Sequence, residues 1–108
     1  KNTSAEESFQ NLTLRPILKF QNSLFLSVFR NHLKKHKIAF ADLKNIEKHE
    51  YIDQLIKKDR KMHNLFLGIV LGQLTNVEYI AYLAHDKELN SRISVMLIQR
   101  LQNQLIAV

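Results

Sequence analysis

Cysteine is absent from this chain, which excludes disulfides, thiolate nucleophiles and cysteine-ligated zinc sites. There are only two glycines, too few for a phosphate-binding loop, and one proline. The longest apolar run, residues 65–71, is far shorter than the ~20 residues of a membrane span. Glu6 and Glu7 stand where a secretory signal would have its apolar core. We therefore expect no membrane span and a reducing, cytoplasmic location.

The composition is that of an ordinary globular protein. The chain has 108 residues, of which 45% are apolar and 24% charged. This length is close to the commonest size of a single domain. We therefore expect one domain over residues 1–108.

Three helix-start signals divide the chain. Ser4 and Thr75 are each followed three residues later by a glutamate, the pattern of a capping box, and Pro16 suits a first helical turn. Apolar residues recur at helical spacing between these signals, and no strand pattern competes. The sequence therefore predicts an all-α fold, a compact bundle of five or six helices.

The helix boundaries follow from caps and apolar periodicity. The second predicted helix has a wide apolar arc, which is typical of a central helix with several neighbours. Asp59 is the expected cap of the fourth helix, and Asp86 or Asn90 that of the last. The predicted helices cover 4–13, 16–37, 43–58, 60–71, 75–85 and the segment from 86 or 90 onward.

Two short strings give the chain a resemblance to a known group. LRPILKFQN at 14–22 and RLQNQL at 100–105 resemble segments of small bacterial all-helical proteins, some of which carry a glyoxalase label. The likeness extends over most of the chain. It implies a small helical fold and no particular site residues.

Positive charge is concentrated in the middle of the chain. Residues 30–61 contain ten basic and five acidic side chains, so this window carries +5 of the net charge of +6. Two clusters at predicted helix ends would form one anion-binding patch if the fold brings them together. The alternative is a solvated surface, because cations also offset the dipole at helix C-termini. The candidate residues, here named the predicted basic patch, are Lys34, Lys35, Lys37, Lys57, Lys58, Arg60 and Lys61.

His32 and His36 have the spacing of two metal ligands on one helix face. Flanking lysines disfavour a bound dication, and no carboxylate lies close in sequence. No serine, histidine and carboxylate stand at a recognisable catalytic spacing either. We therefore expect no metal, no cofactor and no enzymatic activity.

Residues 74–81 superficially resemble the entry to a helix-turn-helix motif. His85 stands where the turn of that motif usually has a small residue, and residues 87–100 offer few base-reading side chains. A capping box of Thr75 and Glu78 accounts for the same pattern without DNA.

The last predicted helix is poor in charge. From Leu89 onward it has no acidic residue, and only Arg92 and Arg100 are charged. Charge depletion with retained apolar and amide groups is typical of a protein interface, or of a helix at the centre of its own domain. The candidate contacts of a homodimer, here named the predicted self-association stripe, are Ile93, Met96, Leu97, Arg100, Leu101 and Leu105.

Two functions remain open from the sequence. We expect a small non-enzymatic protein-interaction or structural module that forms a homodimer. The alternative is weak binding of nucleic acid or another polyanion by the predicted basic patch.

Overall fold

Six helices follow one another in the computed structural model, which describes residues 4–106. Helix α1 covers residues 5–20 and has three parts: α-helical Ala5–Phe9, π-helical Gln10–Leu14 and α-helical Arg15–Phe20. The prediction of an all-α bundle is confirmed, and no strand occurs in the described part. The remaining helices are α2 (Asn22–Lys35), α3 (Asn45–Lys58), α4 (Arg60–Leu71), α5 (Asn76–Leu83) and α6 (Asp86–Leu105), with a 3-10 turn at Phe40–Asp42.

The predicted caps start three of these helices. Ser4 and Thr75 each accept a hydrogen bond from the backbone of the glutamate three residues on, and that glutamate accepts one from the cap's own backbone. Asp59 accepts from the Met62 backbone N–H at 3.0 Å and caps α4. The predicted side-chain cap of the last helix, Asp86 or Asn90, is wrong. Helix α6 begins at Asp86, and its N-cap residue, His85, makes no side-chain cap hydrogen bond.

Helix α1 continues through the region where a break was predicted. Proline has no N–H to donate, and its ring crowds the carbonyl four residues earlier. A π-turn precedes Pro16, in which the Arg15 N–H donates to the carbonyl of Gln10. The extra residue in this turn carries the chain past the proline, so the predicted helix 4–13 continues to Phe20. The predicted helix 16–37 is instead divided at Gln21, where α1 ends and α2 begins.

Helix α6, and not the second predicted helix, is central. It packs against α3, α4, α5 and the π segment, and buries side chains over most of its circumference. The prediction that the helix 16–37 is central is wrong, because Phe20 of α1 and Leu24 of α2, which belong to its apolar arc, are 80% and 44% exposed. No described helix, α6 included, has the length and apolarity to cross a membrane. The buried residues of α6 are Leu89, Ile93, Ser94, Met96, Leu97, Ile98 and Leu101.

Candidate functional site

The two strings that carry the resemblance meet in the folded chain. Residues 14–22 lie at the end of α1 and the start of α2, and residues 100–105 form the last turns of α6. Asn22 and Gln104 join them by side-chain hydrogen bonds, and Arg15 and Arg100 line one surface depression of about 450 Å³. The floor of this depression includes Leu18 and Met96.

A second depression continues the first along α6. Its volume is about 430 Å³, and it shares Arg15, Met96 and Gln99 with its neighbour. We treat the two as one elongated feature, here named the arginine groove. Its residues are Gln10, Arg15, Leu18, Glu88, Ser91, Arg92, Val95, Met96, Gln99, Arg100, Asn103 and Gln104.

Three of the chain's five arginines line this groove. Arg15 Nε donates to Asn11 Oδ1 at 3.0 Å, which anchors the guanidinium to α1. Arg92 Nη1 donates to Gln10 Oε1 at 2.9 Å, and its Nη2 lies 3.4 Å from Glu88 Oε2. Glu88 is the one acidic residue of the lining, so positive charge is in excess.

The charge-poor polar face of α6 supplies the rest of the lining. Gln99, Asn103 and Gln104 place amides beside Arg100, and Ser91 adds a hydroxyl. Guanidinium groups bind carboxylates and phosphates in a planar, often bidentate geometry, and neutral amides add hydrogen bonds at low desolvation cost. The groove can therefore bind anionic groups. Sequence reasoning missed Arg15 and Arg92, for which the sequence offers no signal, because only the fold places α1 against α6.

The predicted self-association stripe lies mostly inside the domain. Ile93, Met96, Leu97 and Leu101 are buried in the core, and Leu105 packs partly against it. These buried residues cannot be the contacts of a homodimer, because α6 packs against α3 and α4. The alternative, a helix at the centre of its own domain, describes them instead. Arg100 is partly exposed and belongs to the arginine groove.

Part of the predicted basic patch comes together. Lys35 of α2 and Lys61 of α4 line one cavity with His32, His36 and Asp59. Lys58 lines the adjoining depression, which shares His32 and Asp59. Lys57 instead pairs with Asp53 at 3.3 Å. Lys34, Lys37 and Arg60 are exposed and line none of the cavities described here.

His32 and His36, which have the sequence spacing of two metal ligands, stack on each other with ring centroids 4.4 Å apart. His32 is buried, and its Nε2 lies 2.8 Å from the Tyr51 hydroxyl. Burial lowers the pKa of His32, His36 lowers it further, and Asp59 opposes both effects. Burial also raises the pKa of Tyr51, and Asp59 raises it further. Among residues 4–106 no three histidine or carboxylate side chains are placed to hold a metal.

The region that resembles a helix-turn-helix has a structural role. Thr75 and Glu78 form the capping box of α5, and the segment in the position of a recognition helix is α6. Because Ile93 and Leu97 of that segment are buried, α6 cannot present this face to a DNA groove.

Comparisons with known proteins give no further guide to the site. No protein-family model, curated protein or solved structure matches the chain. The chemistry of its own residues is therefore the basis for a functional assignment.

Proposed function

We propose that this protein is a non-enzymatic protein-interaction module that binds an acidic, extended peptide segment in the arginine groove. The observation that carries the proposal is the convergence of Arg15, Arg92 and Arg100 on a groove with one acidic residue. Like charges in one groove repel each other, and carboxylates of a partner would relieve that repulsion. The amides of α6 suit a peptide backbone, which needs neutral donors and acceptors.

The separation of Arg92 and Arg100 in the groove sets the expected spacing of the acidic side chains in the bound peptide. Arg92 and Arg100 are eight residues apart, which corresponds to about 12 Å along a helix. An extended peptide covers that distance in three or four residues. We therefore expect the preferred segment to carry two acidic side chains separated by about three residues.

Fluorescence anisotropy with labelled synthetic peptides tests this proposal. The test peptide has two glutamates separated by three neutral residues, one control replaces both with glutamine, and another places the glutamates side by side. Arg15→Gln, Arg92→Gln and Arg100→Gln should each weaken binding of the test peptide about fivefold, as expected for a partly exposed charge-assisted hydrogen bond. The matched control is Arg60→Gln, which removes an exposed arginine outside the groove.

The comparison of variants decides the outcome. Binding that prefers the spaced glutamates and is insensitive to Arg60→Gln supports the arginine groove. Equal binding of the glutamine peptide, or equal losses in all four variants, would show that the groove does not recognise acidic peptides. Circular dichroism of each variant confirms that the helices are retained.

Self-association is a second candidate function, and α5 is the helix that favours it. Val77, Ile80 and Leu83 form a stripe on this helix and are 78%, 60% and 47% exposed. The one charge of α5, Glu78, is held in its capping box. A second copy of the chain fits this face because the face lies outside the strongly basic 30–61 segment and carries no excess charge to repel itself.

Light scattering behind size exclusion tests the homodimer. We expect a mass above the 12.7 kDa of one chain. Ile80→Glu should return the mass to that of one chain. The control Ile46→Glu, which alters an exposed residue of α3, should leave the mass unchanged. A monomer mass across a tenfold dilution range would exclude this candidate.

The absence of enzymatic activity and the cytoplasmic location stay predictions. Elemental analysis of purified protein should find no zinc, nickel or iron near one equivalent per chain, because tight catalytic metals survive purification. Such an equivalent would contradict the assignment as a non-enzymatic module.

A further inference from the structure

A large cavity lies between α2 and α4, on residues that the proposed function does not use. Its volume is about 740 Å³, within the usual range of small-molecule sites. We name it the histidine cavity. Its lining residues are Ser27, Val28, Asn31, His32, Lys35, His36, Asp59, Lys61, Met62 and Leu65.

One end of this cavity is aliphatic. Met62 is buried, Val28 is half-buried and Leu65 is 47% exposed, so these side chains form an apolar floor with an open side. Leu24, one turn before Val28 on α2, is 44% exposed and extends the apolar surface along the helix. An isolated exposed leucine is ordinary, but adjacent exposed aliphatic residues beside a cavity favour an apolar ligand.

The other end is cationic. Lys35 and Lys61 line it from opposite helices, together with the stacked rings of His32 and His36. Asp59 is the one acidic residue of the lining, and its Oδ1 already accepts from the Met62 backbone N–H. The two lysines therefore exceed the negative charge available within the cavity.

We propose that the histidine cavity binds a single-chain amphipathic anion, with its alkyl chain on Val28, Met62 and Leu65 and its anionic head between Lys35 and Lys61. The distance along the axis of α2 from Leu24 to Lys35 is about 16 Å. A medium-length alkyl chain with a carboxylate or phosphate head matches this order of apolar and cationic groups.

The lining favours an alkyl anion over nucleic acid. Single-stranded nucleic acids are held by stacking of bases on aromatic side chains beside a basic track. The aromatic rings of the histidine cavity are His32 and His36, and they stack on each other. The apolar surface left for a ligand is that of Val28, Met62 and Leu65, which suits an alkyl chain.

Calorimetric titration with sodium dodecanoate, below its micelle concentration, tests the proposal. We expect binding that weakens by up to about fourfold for each methylene removed, and much weaker binding of the uncharged alcohol of the same chain length. Lys61→Gln should weaken binding severalfold, with Lys87→Gln on α6 as the charge control. Leu65→Asn should do the same, with Ile46→Asn as a control at another exposed helical position.

Further arms of the experiment separate the sources of such an anion. Dodecanoate binding without cosedimentation on vesicles of anionic phospholipid indicates a free amphiphile, and cosedimentation competed by dodecanoate indicates a lipid. The proposal is overturned if dodecanoate does not bind, if the alcohol binds equally well, or if the control variants lose as much affinity as Lys61→Gln and Leu65→Asn. Displacement by polyuridylate without any chain-length dependence would assign the cavity to a polyanion instead.

Discussion

Asn22 and Gln104 are 82 residues apart and exchange two hydrogen bonds through their side-chain amides. Asn22 Nδ2 donates to Gln104 Oε1 at 2.7 Å, and Gln104 Nε2 donates to Asn22 Oδ1 at 2.8 Å. Gln104 Nε2 also donates to the Arg100 carbonyl at 2.9 Å. This pair joins the start of α2 to the end of α6 at one end of the arginine groove.

Replacing Gln104 with glutamate should destabilise the fold, because a carboxylate accepts from Asn22 but cannot donate back. We expect Gln104→Glu to lower the free energy of unfolding by about 1 kcal/mol in urea denaturation. The double variant Asn22→Asp with Gln104→Glu should cost more than the sum of the single changes, since two carboxylates would face each other. Gln73→Glu, at an exposed position after α4, is the control. Equal stabilities of Gln73→Glu and Gln104→Glu would show that the amide pair contributes nothing.

Lys37 occupies a backbone conformation that favours glycine, with φ of 55°. It follows the last turn of α2, where the Ile38 N–H donates to the Leu33 carbonyl at 2.9 Å and the Lys37 N–H to the Lys34 carbonyl at 3.2 Å. This pattern is a Schellman motif, whose left-handed position is usually glycine. We expect Lys37→Gly to raise the free energy of unfolding by about 0.5–1 kcal/mol. Lys37→Gln, which removes the charge and keeps the Cβ atom, should not; a gain of the same size would attribute the effect to charge.

The buried His32 should make stability depend on pH. Its pKa in the folded protein is lowered from 6.5, chiefly by burial, so the unfolded chain binds more protons below that pH. The contribution of His32 to the free energy of unfolding is therefore fully present above pH 6.5. It decreases as the pH falls toward the lower pKa of His32 in the folded protein. His32→Gln should flatten this dependence in urea denaturation at pH 7.5, 6.5 and 5.5, whereas His49→Gln, at an exposed position on α3, should leave it unchanged. Parallel pH profiles of the wild type and His32→Gln would contradict the assignment.

Leu101 was a candidate dimer contact but is 1% exposed, so it lies in the core of the domain. Leu101→Glu buries a carboxylate in the core, which costs several kcal/mol, a large share of the stability of a small domain. We expect loss of cooperative thermal unfolding by circular dichroism. Val95→Glu, on the same helix at a 45% exposed position, should change stability by less than about 1 kcal/mol. A cooperative, wild-type-like transition in Leu101→Glu would contradict the central position of α6.

Nucleic acid should bind weakly and only at low salt. Lys35, Lys58 and Lys61 lie around His32 and Asp59, and three lysines neutralise few phosphates. We expect titration of labelled single-stranded DNA and RNA to show affinity that falls steeply as the salt concentration rises. Affinity that persists at physiological salt would indicate a dedicated nucleic-acid site.

The sequence by itself determined the helices and most of their ends. Caps and periodicity depend on residues within a few positions of each other, so the start of α1 at Ser4, the cap of α4 at Asp59 and the capping box of Thr75 could be predicted correctly. Pro16 is the exception. Its effect depends on how the preceding turn widens, and a π-turn replaced the predicted break.

Only the tertiary structure decided what each helix face contacts. A charge-poor stripe on α6 fits a dimer interface or a domain centre. Because α6 packs against α3 and α4 and its Ile93 and Leu97 are buried, the stripe belongs to the domain centre. The site shows the same limit: no local pattern relates Arg15 to Arg100, or Lys35 to Lys61, because their proximity comes from helix packing. Whether a segment forms a helix, and where that helix ends, depends on residues within one or two turns of each other. Which helix faces contact each other depends on the apolar surface buried by the whole chain.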